Sequence, residues 1–259
     1  MGYESINTAR GALSAIGIMV EGCRAGNHPL VNRFLRGVFN LRPSTPRYAT
    51  TWDVKFVSQK IRCMEPLHSL TLKDLSLKLV MLMAMTQAAR IQTLHLLLLV
   101  NIAFGEETVS VFLGDNIKQC RPKFNVRNIV FKAYPQDYRL CVVRTMKEYI
   151  ERTERLRTES GNADGRLIIS YIKPHRSVSK DTVARWLKSM LCKGGIDTKK
   201  YTAGSIRPAS VSKAKALDVP IATIMAKAGW TQEATFAKYY NKDIQGEIDP
   251  FQEAVLGSV

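Results

Sequence analysis

The chain has 259 residues, 46% of them hydrophobic and 23% charged, which is enough apolar side chain to bury a substantial core in one large domain or two small ones. That composition excludes a mainly disordered chain. Thirty-eight Lys and Arg against 22 Asp and Glu leave a formal charge of +16, which repels cations and recruits polyanions, nucleic acid first among them. The longest apolar run, Leu94 to Val100, contains His95 and falls far short of the roughly 20 residues a bilayer crossing needs, so a soluble protein with no membrane partner is expected.

Apolar residues at Ile6, Ala9, Leu13, Ile16 and Val20 recur at the spacing of one helical face and predict a helix over Ser5 to Glu21, with Ser5 as its cap. Pro29 to Phe39 repeats the pattern with Leu30, Phe34, Leu35 and Val38 and shows Arg33 and Arg36 on its polar side. The segment LRPSTPRYAT then packs Pro43 and Pro46 with Arg42 and Arg47; each proline removes a backbone donor and restrains its predecessor, so this reads as a linker. Further helices are expected over Thr51 to Ile61 and over Thr71 to Met85, the latter opened by Thr71, Lys73 and Asp74. Thr108 to Leu113 and Asn128 to Lys132 read as short strands, with a turn at Gly114, Asp115 and Asn116 after the first. Helical periodicity returns from Leu140 to Arg157, Leu167 to Ser170 is a brief strand, and helices follow at Ser179 to Leu191, Ser205 to Leu217, Val219 to Ala228 and Gln232 to Asn241. The fold class is therefore mainly α with a small antiparallel β-sheet, an α+β arrangement.

The five cysteines, Cys23, Cys63, Cys120, Cys141 and Cys192, are odd in number and widely spread, and read as reduced thiols of an intracellular protein. Position 6 is Ile where a myristoylation signal needs Ser or Thr, and no secretory pattern opens the chain, so cytosol or nucleus is expected. No metal site and no cofactor are expected: the histidines His28, His68, His95 and His175 stand singly, the acidic residues sit beside Arg or Lys on helix faces, and GEETVSVFLGD lacks the Lys-Ser/Thr ending of a nucleotide-binding loop. What remains is a set of basic and aromatic residues at helix edges: Arg90, Lys118, Arg207, Trp230 and the pair Tyr239, Tyr240. Taken one at a time, these are salt-bridge partners, a core anchor and a buried helix edge.

The blocks INTARGALSAI, HPLVNRFLRGVFNLRPSTPRY, TWDV, YIERTERLR, LIISYIKPHRSVSKDTVARWLK, GID and AGWTQEATFAKYYNK resemble, in order and spacing over nearly the whole chain, the tyrosine recombinase of DIRS-type retrotransposons, a branch of the tyrosine recombinase and phage integrase superfamily. The resemblance implies a truncated N-terminal helical core-binding domain over residues 1–46 and a catalytic domain over 47–259, clamping duplex DNA between them in the nucleus. It implies chemistry without metal, in which a tyrosine attacks the scissile phosphate to give a 3′-phosphotyrosyl bond and a free 5′-hydroxyl, and another strand's hydroxyl reverses the step. Two arginines hold the non-bridging oxygens, and a lysine on the β-hairpin protonates the leaving oxygen.

Carried over by position, Arg90 matches the first arginine, Lys118 the hairpin lysine, Arg207 the second arginine, and Trp230 a place that is His or Trp across the superfamily. Arg33, Arg36, Arg42 and Arg47 are the candidate DNA contacts of the N-terminal part. Gly204 stands where the family has a histidine, three residues before the second arginine. Losing that acid-base group implies a slower enzyme or an inactive relic. Pro208 after Arg207 and Lys123 in place of a usual Gly are further departures that hint at decay. Superfamily spacing, nine residues after Trp230, points to Tyr239 as nucleophile, whereas the DIRS-type pattern Thr-Phe-x-x-Phe-Tyr, laid on Thr235, Phe236, Tyr239 and Tyr240, points to Tyr240. Tyr240 is taken as the nucleophile and Tyr239 as the alternative. Family members assemble a homo-tetramer on DNA through a C-terminal segment, here Asp243 to Val259, with packing of that tail on its own subunit as the other outcome.

The rival reading is a catalytically inactive DNA-binding protein that kept the recombinase fold, and a basic RNA-binding protein is a third. The charge alone carries one prediction. Binding to duplex DNA should weaken with salt, with a log-log slope of about −0.9 per phosphate contacted, and Arg33→Ala with Arg36→Ala should reduce both affinity and slope. Filter binding across a salt series checks this, and a flat dependence would remove nucleic acid as the partner.

Overall fold

The computed structural model describes residues 2–43, 47–113, 128–159 and 164–246. The chain divides into two compact units, Met1–Tyr48 and Ala49–Val259.

The first unit holds α1 (Tyr3–Ala15), a two-residue antiparallel pair β1 (Met19–Val20) and β2 (Cys23–Arg24), and α2 (Pro29–Leu41). The first helix is shorter than its apolar period suggested. It starts after Gly2 with no side-chain cap, so Ser5 lies inside it, and the chain turns away at Gly17, Glu21 and Gly22, all at positive φ. No residue of α1 is buried, and Leu13, Ile16 and Val20 remain exposed, because two helices leave too little surface to cover an apolar stripe. The start of α2 follows from local chemistry: Pro29 takes the first helical position, where a missing N–H costs nothing, and His28 Nδ1 accepts from Leu30 N at 3.3 Å. Arg33 and Arg36 project exposed from α2, Arg42 caps its C-terminus, and the Arg47 guanidinium lies 5.6 Å from the centre of the Tyr48 ring.

The second unit begins with β3 (Thr50–Thr51) and α3 (Val54–Arg62), whose start falls later than the expected Thr51 because Asp53 caps it by accepting from Lys55 N at 2.9 Å. Its centre is α4 (Leu72–Thr86). Thr71 Oγ1 accepts from Asp74 N and donates to the Asp74 carboxylate, a reciprocal cap of the kind its sequence signals. Leu75, Leu79, Val80, Met81 and Met83 have no measurable exposure, so α4 is covered on all sides, with α6 (Val142–Glu159), α7 (Lys180–Lys193) and α8 (Ile206–Ala216) packed around it. Between α4 and α6 come α5 (Ile91–His95) and a three-stranded antiparallel sheet of β4 (Ile102–Phe104), β5 (Thr108–Phe112) and β6 (Asn128–Lys132), in spatial order β4-β5-β6. Both expected strands are present, while α5 and β4 are additions: five residues are too few to show a helical period, and Ile102–Phe104 lacks alternation. Leu167 to Ser170 is not a regular strand. Its buried apolar residues are held by isolated bridges, Leu98 to Arg166 and Ile169 to Ser177, and by the Tyr149 hydroxyl, which accepts from Ile169 N at 3.1 Å. The chain continues through α9 (Ile221–Ala228) and α10 (Glu233–Tyr239) to β7 (Asp243–Ile244), which runs parallel to β3. Ile244 is buried in that pairing, so this part of the tail packs on its own unit. Lys118, Lys123, Cys120, the turn at Gly114 to Asn116, Pro46 and the tail beyond Gly246 lie outside the described residues.

One charged cluster ties α4 to the outer layer. The wholly buried Lys78 ammonium donates to Met64 O and to Glu65 Oε1, both at 2.7 Å, and Arg144 Nη1 reaches the same carboxylate at 3.0 and 3.1 Å. Burial pushes the Glu65 carboxyl up, but the hydrogen bonds from Lys78 and Arg144 outweigh it and hold its pKa below the ordinary 4.5. A carboxyl depressed in the folded state contributes stability above its unfolded pKa and loses it as the pH falls through the folded value. Glu65→Gln, which leaves a buried ammonium unpaired, should cost about 3–5 kcal/mol at pH 7. Urea unfolding at pH 7 and pH 3 should show that cost shrinking in acid; a constant difference would mean that Glu65 contributes no charge.

Candidate functional site

Arg207 is the second residue of α8 and only 5% exposed. A buried guanidinium needs acceptors, and here backbone supplies them: Nη1 donates to Ala88 O at 2.9 Å and Nη2 to Ala228 O at 2.6 Å. Both carbonyls belong to chain turns. Ala88 follows α4 at φ +43°, in the left-handed region that side chains avoid, and Ala228 precedes Gly229, which ends α9 at φ +67°. The guanidinium also lies 4.5 Å from the centre of the Trp230 ring and 5.4 Å from that of Tyr240. Burial first, and the charge of Arg90 second, pull its pKa down to about 10, so it stays protonated at neutral pH.

Arg90 stands at the start of α5, in the loop that carries Ala88. Among the buried polar atoms without a hydrogen-bond partner are Arg90 Nη1, Arg207 Nε and Trp230 Nε1. Unpaired buried donors are costly, and here they come from residues that surround one another: Arg90 acts on Arg207 by charge, and Arg207 lies over Trp230. None of Arg90, Arg207 and the nearby Lys227 pairs with a carboxylate among the described residues. Three unpaired donors and three cations without a carboxylate make a site complementary to an anion with several oxygens.

The two tyrosines separate. Tyr240 follows the last residue of α10, half-buried, its ring 4.4 Å from that of Trp230. Its carbonyl accepts from Ser212 Oγ at 2.9 Å, so α8 holds both Arg207 and the tyrosine backbone. Tyr239 ends α10, points outward at 37% exposure, and has the Lys238 ammonium 5.1 Å from its ring centre. The helix is shorter than the expected Gln232 to Asn241, yet the two side chains still diverge.

Gly204 is exposed, in the turn before α8, and a Cβ there would meet nothing nearer than Thr202 Oγ1 at 3.7 Å. Position 204, where the resemblance expects a histidine, therefore has room for a side chain. Pro208 displaces nothing: it lies in the first turn of α8, where N–H groups have no intrahelical partner, and Arg207 is held in place from outside the helix. The start of α8 is fixed by Ser205, whose Oγ accepts from Trp52 Nε1 at 2.9 Å and donates to Thr202 O at 2.7 Å. The roles of Ala88, Ala228, Ser205, Ser212 and Trp52 are not legible in the sequence, since four of them act through backbone groups or small hydroxyls that carry no distinctive signal. Lys118 lies outside the described residues, and Arg33, Arg36, Arg42 and Arg47 belong to the first unit.

No protein-family model matches the sequence, and no curated protein does. Solved structures do. A XerA recombinase aligns over 99% of this chain and 82% of its own, at 14% identity and a TM-score of 0.53. The XerH site-specific recombinase bound to its difH substrate, in a pre-cleavage complex, aligns over 100% and 70%, at 7% identity and 0.56. A lambda integrase dimer bound to a COC′ core site aligns over 96% and 82%, at 12% identity and 0.50. Mainly helical, with small sheets and this order of elements, the chain has the fold of the tyrosine recombinases.

Proposed function

We propose that this chain is a site-specific DNA recombinase that cleaves and rejoins duplex DNA through a 3′-phosphotyrosyl intermediate. The observation that carries the reading is the convergence of unpaired Arg90 Nη1, Arg207 Nε and Trp230 Nε1 beside the Tyr240 ring, an anion site with a nucleophile at its edge. The Tyr240 oxygen attacks phosphorus, the bond to the 5′-oxygen breaks, and that oxygen takes up a proton. The two arginines offset the negative charge that grows on the non-bridging oxygens. The resemblance assigns the proton donor to Lys118. The phenol proton passes to solvent water, because position 204 is Gly and offers no histidine to take it, and this makes the enzyme slow. Origin in a DIRS-type mobile element, action in the nucleus and assembly as a tetramer on DNA belong to the same reading and rest on the sequence blocks. Gly204 favours a second reading, an inactive DNA-binding protein that kept the fold.

A nicked suicide substrate, scored as a covalent protein–DNA band, tests both. Tyr240→Phe should abolish the band, while its ring still packs on Trp230; Tyr239→Phe should leave it. Gly204→His should raise the rate of adduct formation on the order of 10² for one restored acid-base group. A band lost only in Tyr239→Phe would exchange the two tyrosines, and a band surviving in the double Phe variant would overturn the mechanism. No band from the parent or from Gly204→His would favour the inactive reading.

A further inference from the structure

Hydroxyls inside the helices of this protein return to the carbonyl four residues back: Ser76 to Leu72 O at 2.6 Å, Thr86 to Leu82 O at 2.7 Å, Thr145 to Cys141 O at 2.8 Å. Ser212, on α8, is turned elsewhere. Its Oγ donates to Tyr240 O at 2.9 Å and accepts from Lys242 N at 3.0 Å, groups 28 and 30 residues away. A hydroxyl has one proton and two lone pairs, so both bonds form at once. The residue is only 3% exposed, which keeps water from competing for them.

The two bonds grip the chain on either side of Asn241, where α10 has ended. Tyr240 N and Asn241 N both donate to Phe236 O at 2.9 Å and close the last turn; beyond it the Tyr240 carbonyl and the Lys242 N–H meet Ser212 instead of a helical partner. Pairing of β7 with β3 follows directly, so the segment is tied on both sides of this point. Ser212 stands five residues after Arg207, about 7.5 Å further along the same helix. With Ile206, Ala209 and Val211 buried, α8 is a fixed ruler between the guanidinium and the tyrosine backbone. The Tyr240 ring then lies 5.4 Å from Arg207 and 4.4 Å from the Trp230 ring. Burial and then Arg90 lower the Arg207 pKa, and the Tyr240 phenol acts against them.

Neighbouring residues on a helix point about 100° apart, so a rotation of the last turn of α10 that offers Tyr239 to the site withdraws Tyr240. The site admits one of them. We propose that Ser212 is the positioning residue that selects the nucleophile, its hydroxyl stapling Tyr240 O and Lys242 N to α8 so that Tyr240, and not Tyr239, faces Arg207 and Trp230. The selection rests on the recombinase reading; the staple does not.

The staple is read first, without DNA, on the full-length protein labelled with ¹⁵N-lysine. The Lys242 N–H signal, assigned by its loss in Lys242→Arg, should exchange with solvent deuterium slowly in the parent and in Ser212→Thr, and faster by on the order of tenfold in Ser212→Ala. Fast exchange in the parent, or equal exchange in the parent and Ser212→Ala, would overturn the staple. The nicked suicide substrate is the second probe, with the DNA-linked tyrosine located by mass spectrometry after digestion. In the parent and in Ser212→Thr the DNA should sit on Tyr240. In Ser212→Ala the rate of adduct formation at saturating DNA should fall on the order of tenfold with DNA affinity unchanged, and Tyr239 should carry a measurable share of the adduct. Ser212→Cys, which keeps the volume with weaker hydrogen bonds, should move in the same direction and serves if the alanine variant does not fold. Adducts on Tyr239 in the parent, adducts on Tyr240 alone at the parent rate in both variants, or a loss of affinity that accounts for the whole loss of rate would each overturn the selection. No adduct from the parent or from Gly204→His, with the Lys242 amide protected, would overturn the strand-cleavage reading and keep the staple.

Discussion

The geometry of the site depends on a single buried cation. Removing a guanidinium from water costs several kcal/mol, and no carboxylate among the described residues repays it at Arg207. Two charge-assisted bonds to backbone carbonyls and the face of an indole repay it instead. That choice has a consequence. Carbonyls satisfy hydrogen bonds without cancelling net charge, so the cation stays electrostatically available to an incoming anion, as an ion pair would not leave it.

The same clamp orders the surroundings. Ala88 ends the segment after α4, the most buried helix, and Ala228 ends α9, so Arg207 links the core helix, α8 and α9 at one point. The left-handed turns at Ala88 and Gly229 are what aim these carbonyls inward. For a non-glycine residue such a conformation costs on the order of 1 kcal/mol, and it persists because the guanidinium and the surrounding apolar cluster hold it. Trp230 belongs to that cluster with Val211, Ile224 and Phe236, and Tyr240 packs against it, so the aromatic side of the site is built on a core rather than on a loop. Ser212 then fixes the Tyr240 carbonyl from α8, the helix that carries Arg207.

A site made this way has more donors than acceptors. Arg90 Nη1, Arg207 Nε, Trp230 Nε1 and Thr93 Oγ1 are all buried and unpaired, a concentration that an apolar interior would not tolerate without a purpose. Gly204 is exposed in the turn before α8, with open space where a side chain would project. In the proposed reading, the unpaired donors would hold a phosphate whatever residue stands at position 204, so binding and movement of the tyrosine proton are separate questions.

The sequence by itself determined what depends on near neighbours. The Thr71 and Asp74 cap, the proline that opens α2, the serine that opens α7 and the alternating strands β5 and β6 are all set within a few residues, so pattern and capping chemistry reveal them. The order of Arg90, Arg207, Trp230 and the tyrosine pair was legible as a resemblance, and the fold brings Arg90, Arg207, Trp230 and Tyr240 together. What it left open was decided by contacts between residues far apart in the chain. Two rulers on the same sequence chose different tyrosines; packing against Trp230 and the bond from Ser212 turn Tyr240 inward and leave Tyr239 outside. The apolar stripe predicted a helix at α1, but burial of that stripe needs a partner surface, and within its unit α1 has none large enough. Ala88 and Ala228 are ordinary residues in the sequence, and they matter only because the ends of α4 and α9 meet the start of α8 around one guanidinium. Local propensity fixes elements, whereas a site made of backbone carbonyls and unpaired donors exists only once distant segments are folded against each other.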